Sequence, residues 1–174
     1  MSLYQGTGET NLNLNSDDNI LLLEIPAGTV VITMRPDLAP IHVQRIKELV
    51  RKGFYDGLKF HRVIEGFMAQ GGDPDGTGRG GSGFNLPAEF SQEKFERGVL
   101  GMARARSINS ADSQFFIMLG DAPHLSGQYT IWGQVTKGME FVDALKKGNK
   151  NANGQISGKP DRIKRMRIKS DTLN

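Results

Sequence analysis

The chain has 174 residues, with 22 Lys and Arg against 19 Asp and Glu, a formal net charge of +3. That length fits one domain with a core of its own, and so mild a charge excess gives no reason to expect a nucleic-acid partner. The absence of cysteine excludes a disulfide framework, a thiol nucleophile and any Cys-ligated metal. The three histidines, His42, His61 and His124, show no i,i+4 pairing and argue against a zinc site.

Glycine is over-represented, 22 of 174 residues against a usual ~7%, which disfavours a chain dominated by long helices. No apolar run approaches the ~18 residues of a membrane span, and the N-terminus lacks a basic-then-apolar leader pattern. A soluble protein is expected, without membrane partners. The expected compartment is the cytoplasm, or the periplasm if a leader has been removed. Residues 1–18, rich in Gly, Thr, Asn, Ser and Asp, predict a flexible arm ahead of a domain over 19–174.

In chain order, Ile20–Ile25 and Thr29–Met34 read as strands around the turn residues Pro26-Ala27-Gly28, predicting a hairpin. Pro40 lies near the first turn of a helix. Val43, Ile46, Leu49 and Val50 form its apolar stripe, and Gly53 stops it. Short strands are predicted at Lys59–Ile64, Phe67–Gln70, Val99–Ala103, Gln114–Leu119 and Thr130–Val135, separated by glycines. A second helix is predicted over Met139–Lys147, with Phe141, Val142 and Leu145 on one face, Asp143 and Lys147 paired at i,i+4, and Gly148 at its end. Ile163–Lys169 reads as a last strand. This density of strands, with two helices far apart, does not make a βαβ fold. It predicts a mainly antiparallel barrel or sandwich with helices as end covers.

Two patterns carry less than they first offer. Gly78–Gly83 matches G-x-G-x-x-G, but no clear strand precedes it and no helix begins after it, so it reads as a glycine-rich surface loop. Residues 159–169 hold Lys159, Arg162, Lys164, Arg165, Arg167 and Lys169 against one acid, Asp161. No aromatic residue is interleaved with them, so the stretch reads as the solvated side of an edge strand, not as a nucleic-acid surface.

The densest segment is Phe60–Asp73, FHRVIEGFMAQGGD. A period of two puts Met68 and Gln70 on one face of their strand. It likewise separates Gln114 and Phe116 from Phe115 and Ile117. One face of each strand packs a core and the other either lines a groove or packs as well. From alternation alone the second reading, with Arg62 a surface cation, is preferred.

The same segment resembles the FHRVI-x-x-FM-x-QGGD signature of the cyclophilin-type peptidyl-prolyl isomerases. Further motifs follow in family order: the Gly76–Gly83 loop, Pro87-Ala88-Glu89-Phe90, Gly98–Ala103, Ser113–Ile117, His124–Gly127 and Trp132–Val135. The resemblance covers roughly residues 20–170 and is bacterial in character. It implies an eight-stranded antiparallel β-barrel closed by two α-helices, and a cofactor-free, metal-free enzyme that turns X–Pro bonds and assists folding. Its partners are proline-containing peptides and proteins, and a monomer is expected.

Carried onto these residues, the resemblance makes Arg62 the catalytic donor. Phe67, Met68, Phe116 and Leu125 form the proline pocket, and Gln70 bonds the substrate backbone. Gln114 and the backbone of Arg104 position the chain, Ala103 leaves room for the residue before proline, and His61 supports the strand. An arginine suits the role because it stays protonated and its fork can also hold a carbonyl. Three positions depart from the best-known members. His124 stands where many have Trp, Tyr129 where many have His, and Arg104 where Asn is common. The first of these leads us to expect weak cyclosporin binding.

Overall fold

The expected hairpin forms, and its apolar alternation sets the inside of the sheet. In the computed structural model, which describes residues 13–173, β1 (Ile20–Ile25) pairs antiparallel with β2 (Gly28–Met34). Leu21, Leu23 and Ile25 alternate inward against Val30, Ile32 and Met34. Six further strands complete one antiparallel sheet: β3 (Arg62–Ile64), β4 (Met68–Gly71), β5 (Val99–Met102), β6 (Phe115–Met118), β7 (Ile131–Lys137) and β8 (Arg165–Ile168). Their order is β3-β4-β6-β5-β7-β2-β1-β8. The sheet curls until the segment before β3 meets the segment before β8. Phe60 N–H donates to the Asp161 carbonyl at 2.9 Å, and Ile163 N–H to that of Leu58 at 2.8 Å. The outer edge of β3 is covered by the 148–156 loop, through Val63 N–H on the Gly154 carbonyl and Ile156 N–H on that of His61.

The barrel interior is filled by aliphatic side chains around a ring cluster. Trp132, Phe60 and Tyr55 each meet Phe115 edge-on, at centroid distances of 6.1, 6.2 and 5.6 Å. Such edge-to-face pairs add to the energy of burial itself. A second, smaller cluster of Met68, Phe95, Val99, Phe116, Met118, Ala122 and Ile131 lies apart from this core. The two faces separated by alternation in 114–117 therefore both bury apolar side chains, Phe115 and Ile117 in one cluster and Phe116 in the other.

Helix α1 (Pro40–Arg51) carries the predicted stripe, with Val43, Ile46, Leu49 and Val50 buried. Ala39 offers its N-terminus no side-chain cap. Glu89, 48 residues away, supplies one: its carboxylate accepts from Ile41 N–H at 3.1 Å and His42 N–H at 2.8 Å, and meets the buried His42 Nδ1 at 2.7 Å. Helix α2 (Met139–Asp143) ends four residues before the predicted Lys147. Lys146 N–H, which would continue the helix, donates instead to the Asp161 carboxylate at 2.8 Å. The expected Asp143–Lys147 pair does not form. Asp143 pairs with Arg97 at 2.6 and 2.8 Å, while Lys147 Nζ caps the carbonyls of Asp143 and Leu145.

Other strand ends move by a few residues, as such boundaries do. The largest change is at β3, where residues 59–61 leave the sheet to form the closing seam. Of the arm expected over 1–18, residues 1–12 lie outside the described residues. Residues 13–19 turn and pack near α1, with Asn19 buried and accepting from Lys47 Nζ at 3.3 Å. Much of the basic 159–169 stretch is engaged locally. Arg165 and Arg167 face Glu24, Lys169 faces Asp17, and Arg162 donates to the Gly57 carbonyl. No described helix is long and apolar enough to cross a membrane.

Glu89→Ala leaves two helix N–H groups and the His42 ring without their acceptor, at a cost of about 1–3 kcal/mol. Urea unfolding is expected to show that loss. Glu89→Gln, which retains one acceptor oxygen, should lose less.

Candidate active site

The site begins as a row across four strands. Arg62 in β3 lies opposite Gln70 in β4, Gln70 opposite Phe116 in β6, and Phe116 opposite Gly101 in β5. Directly opposed residues share a face, so the pleat alone brings a guanidinium, an amide and an aromatic ring together. The missing side chain at Gly101 makes the room. A Cβ there would stand 2.5 Å from Phe116 Cζ and 2.8 Å from Phe95 Cε1. Phe116 uses that space to stack on Phe95, with centroids 5.7 Å apart and planes 22° apart.

Arg62 is held on two sides. Its Nη1 donates to Gln70 Oε1 at 3.2 Å, its Nε to the Asn153 carbonyl at 2.8 Å, and its Nη2 to Asn153 Oδ1 at 2.9 Å. Three of the five guanidinium N–H bonds are thereby used. Behind Gln70 the polar chain continues: Gln70 Nε2 donates to Gln114 Oε1 at 2.9 Å, and Gln114 Nε2 to the Gly80 carbonyl at 2.9 Å. Burial pushes the Arg62 guanidinium below its ordinary value, and Tyr129 acts in the opposite direction.

A small cavity of about 140 Å³ opens beside this row. It is lined by Arg62, Phe67, Met68, Gln70, Ala103, Arg104, Phe116, Leu125 and Tyr129. Phe116 and Met68, only 6% and 3% exposed, belong to the second cluster that floors it. Tyr129 stands edge-on to Phe116 with centroids 5.7 Å apart. The Arg104 guanidinium lies 4.7 Å over the Tyr129 ring and donates to the Gln128 carbonyl at 2.8 Å and to the Ala105 carbonyl at 3.0 Å. A second cavity, of about 410 Å³, adjoins the first and shares Gln70, Ala103 and Arg104 with it.

Three of the sequence-predicted residues fall outside the small cavity. Gln114 lines the second cavity and forms the relay to Gln70. His124 sits exposed on the turn Pro123–Leu125, its ring 6.3 Å from that of Phe67. His61 is buried behind the row, and neither ring nitrogen has a hydrogen-bond partner among the described residues. Burial lowers its pKa, Asp73 opposes that shift and Arg62 reinforces it. The ring packs with no partner among the described residues to which it could pass a proton.

Sequence reasoning missed Asn153, whose φ of 56° lets one residue present both its carbonyl and its amide oxygen to the guanidinium. The Asn153-Gly154 pair was the available signal, since Asn tolerates this left-handed conformation. It also missed the carboxylates that shape the glycine-rich loop. Asp73 accepts from Asp75, Thr77 and Gly78 N–H at 2.8, 2.9 and 2.6 Å. Burial alone would raise its pKa, but these bonds, with one from Gly80, outweigh burial and lower it. Asp112 accepts from Ser82, Gly83 and Phe84 N–H at 2.7, 3.0 and 3.2 Å, and from Ser82 Oγ.

Residues 20–168 match the family model of the cyclophilin type peptidyl-prolyl cis-trans isomerases. A probable peptidyl-prolyl cis-trans isomerase of Brucella suis biovar 1 is 50% identical over 167 residues, covering 89% of this chain and 85% of the relative. Peptidyl-prolyl cis-trans isomerase B of Bacillus subtilis is 42% identical over 125 residues, 71% of this chain and 87% of the relative. Among solved structures, the cyclophilin AquaCyp293 from Hirschia baltica superposes with a TM-score of 0.79 at 28% identity, over 90% of this chain and 76% of the other. A Cryptosporidium parvum cyclophilin type peptidyl-prolyl cis-trans isomerase, crystallised in the presence of the dipeptide Ala-Pro, gives 0.77 at 30% identity, over 86% and 98%.

The buried His61 ring has a stability signature. Its lowered folded pKa means that the unfolded chain takes up the proton first as pH falls. Its contribution is therefore full above the unfolded value of about 6.5 and is lost as pH falls from there through the folded value. In urea unfolding between pH 7 and pH 5, His61→Gln is expected to lose less stability than the unaltered chain. Equal losses would show that the native ring titrates freely.

Proposed function

The chain belongs to the cyclophilin-type peptidyl-prolyl cis-trans isomerase family, and we propose that it turns X–Pro bonds by donating from Arg62 to the prolyl nitrogen of a twisted amide. The observation that carries this reading is a guanidinium fixed at the mouth of an apolar pocket with two N–H bonds not yet used.

The barrier to rotation is amide resonance, roughly 18–20 kcal/mol, and no covalent bond need break. In the planar amide the nitrogen lone pair is delocalised. In the twisted amide it is localised and accepts a hydrogen bond. A donor already aimed at that nitrogen stabilises the twisted state more than either planar state, and only such differential binding lowers the barrier. Phe67, Met68, Phe116 and Leu125 receive the proline ring, and Tyr129 closes the side of the pocket. Gln70, whose Oε1 accepts from Arg62 and whose Nε2 has spent one hydrogen on Gln114, keeps a second hydrogen for the substrate backbone. The apolar walls keep water from the amide and strengthen the contact with Arg62.

No metal, cofactor or titrating acid–base pair enters this scheme. The substrates are proline-containing peptides and unfolded proteins, and the cellular role is assistance to folding. Arg62→Ala is expected to reduce kcat/KM by at least ~10²-fold, the usual loss of one preorganised donor, with native circular dichroism retained. NMR exchange on an X–Pro peptide measures it. A folded Arg62→Ala variant with near-unaltered turnover would remove the guanidinium from the mechanism.

The rim bears on cyclosporin, the drug that the family binds in this groove. His124 reaches the rim beside Phe67 with a small, exposed ring, where a Trp would offer a larger apolar face and an indole donor. Trp132 cannot substitute, because it is buried in the barrel. Loss of an interface Trp commonly costs about 2 kcal/mol or more, or at least ~30-fold in affinity. Weak inhibition is expected, and His124→Trp should tighten it with little change in turnover of small peptides. Tight inhibition of the unaltered chain, or no gain from His124→Trp, would dissociate this position from drug binding.

A further inference from the structure

We propose that the second cavity selects substrates with an acidic side chain two residues before the proline, through Arg79 and Arg106. The proposal rests on the isomerase reading above, which puts the residue before proline at Ala103. Ala103 is shared by the two cavities. An extended chain advances about 3.3 Å per residue, so the next residue back enters the larger cavity.

The chain has eleven arginines. Nine of them, at 35, 45, 51, 62, 97, 104, 162, 165 and 167, donate to a carboxylate or carbonyl or pair with an acid. Arg79 and Arg106 are the two whose side chains have no such partner among the described residues, and both are exposed. Arg79 lines the second cavity, and Arg106 is the next residue in the chain after Ala105, which also lines it.

The acidic groups nearby do not cancel them. Asp112 lines the cavity with its charge intact, its carboxylate turned to three backbone N–H groups and the Ser82 hydroxyl, and the Arg104 guanidinium on the same lining offsets it. Asp73 is buried beneath its own set of N–H donors. Asp75 lies against Gly80 and does not line the cavity. Arg104 also lines it, with its guanidinium bound to carbonyls and so still positive.

Arg79 is presented from a fixed loop, not a loose one. A Cβ on Gly80 would collide with Asp73 Oδ1, and one on Gly81 would come 2.5 Å from Asp112 Oδ2. The loop backbone is thus seated on both carboxylates. A guanidinium so presented matches a carboxylate in shape and charge, and a lysine ammonium in neither.

The test uses the full chain and three peptides, acetyl-Xaa-Ala-Pro-Phe-amide with Xaa as Glu, Gln or Lys, followed by NMR exchange. The expected order of kcat/KM is Glu above Gln above Lys, with Glu over Lys by about fivefold at low salt, the scale of an exposed charge pair. The spread should shrink in 1 M salt, where the screening length is about 3 Å. Arg79→Glu combined with Arg106→Glu should invert the Glu–Lys order, and the milder Arg79→Gln with Arg106→Gln should abolish it. Equal rates for the three peptides on the unaltered chain would overturn the selectivity while leaving the isomerase reading standing. So would a Glu preference that survives in either double variant. Turnover of none of the peptides would overturn the isomerase reading, and the selectivity with it.

Discussion

One cross-strand register governs the molecule. Beside the row of Arg62, Gln70, Phe116 and Gly101 runs its neighbour on the opposite face: Val63, Ala69, Ile117 and Leu100, paired in the same order and with no exposed surface. A slip of one residue in any of these strands would exchange the two rows. It would carry a guanidinium and an amide into the barrel and Val63, Ile117 or Leu100 out of it, at roughly 1.5–3 kcal/mol for each aliphatic side chain. The core row therefore positions the polar row. No interaction made by Arg62 itself is needed to place its Cα; hydrophobic burial one residue along does that.

What Arg62 does need is orientation without neutralisation. Three other arginines of this chain find carboxylates: Arg35 meets Asp37, Arg97 meets Asp143, and Arg165 meets Glu24. In each the hydrogen-bonded acid raises the arginine pKa. Arg62 is held by a backbone carbonyl and two side-chain amide oxygens, and its pKa shifts downward through burial. Neutral acceptors fix the fork and leave its charge unopposed. A carboxylate in the place of Asn153 would hold the fork as well, but would offset the charge on which the proposed mechanism depends.

The sequence made the strands and their faces legible wherever alternation is strict. Met68 and Gln70 share a face, and Phe116 separates from Phe115 and Ile117, as the period of two demands. Alternation could not decide between groove and core, because the groove floor is itself a packed cluster: Phe116 and Met68 are as buried as core residues. The family motifs, not periodicity, identified the groove. Helix α2 was overextended because the group that ends it, Asp161, lies 15 residues from Lys146, and the partner of Asp143 lies 46 residues away at Arg97. Such long-range side-chain choices leave no periodic trace. Asn153 was hidden for a related reason: its role depends on a left-handed backbone in a loop, which hydropathy does not encode.

Sheet and loops divide the work of placing the guanidinium. The sheet sets where it is; two loops set how it is turned. On one side Asn153 supplies a carbonyl and an amide oxygen. On the other, the relay through Gln70 and Gln114 ends on the Gly80 carbonyl. That carbonyl sits in a segment whose N–H groups point at Asp73 and Asp112, flanking it before and after. A relay of amides is only as rigid as its last acceptor, since either amide could otherwise rotate and donate elsewhere. By ending on a backbone atom seated between two satisfied carboxylates, the chain turns a glycine-rich surface loop into an anchor for a side chain three hydrogen bonds away. Residues outside the small cavity, Asp73 and Asp112 among them, thus help to set its geometry.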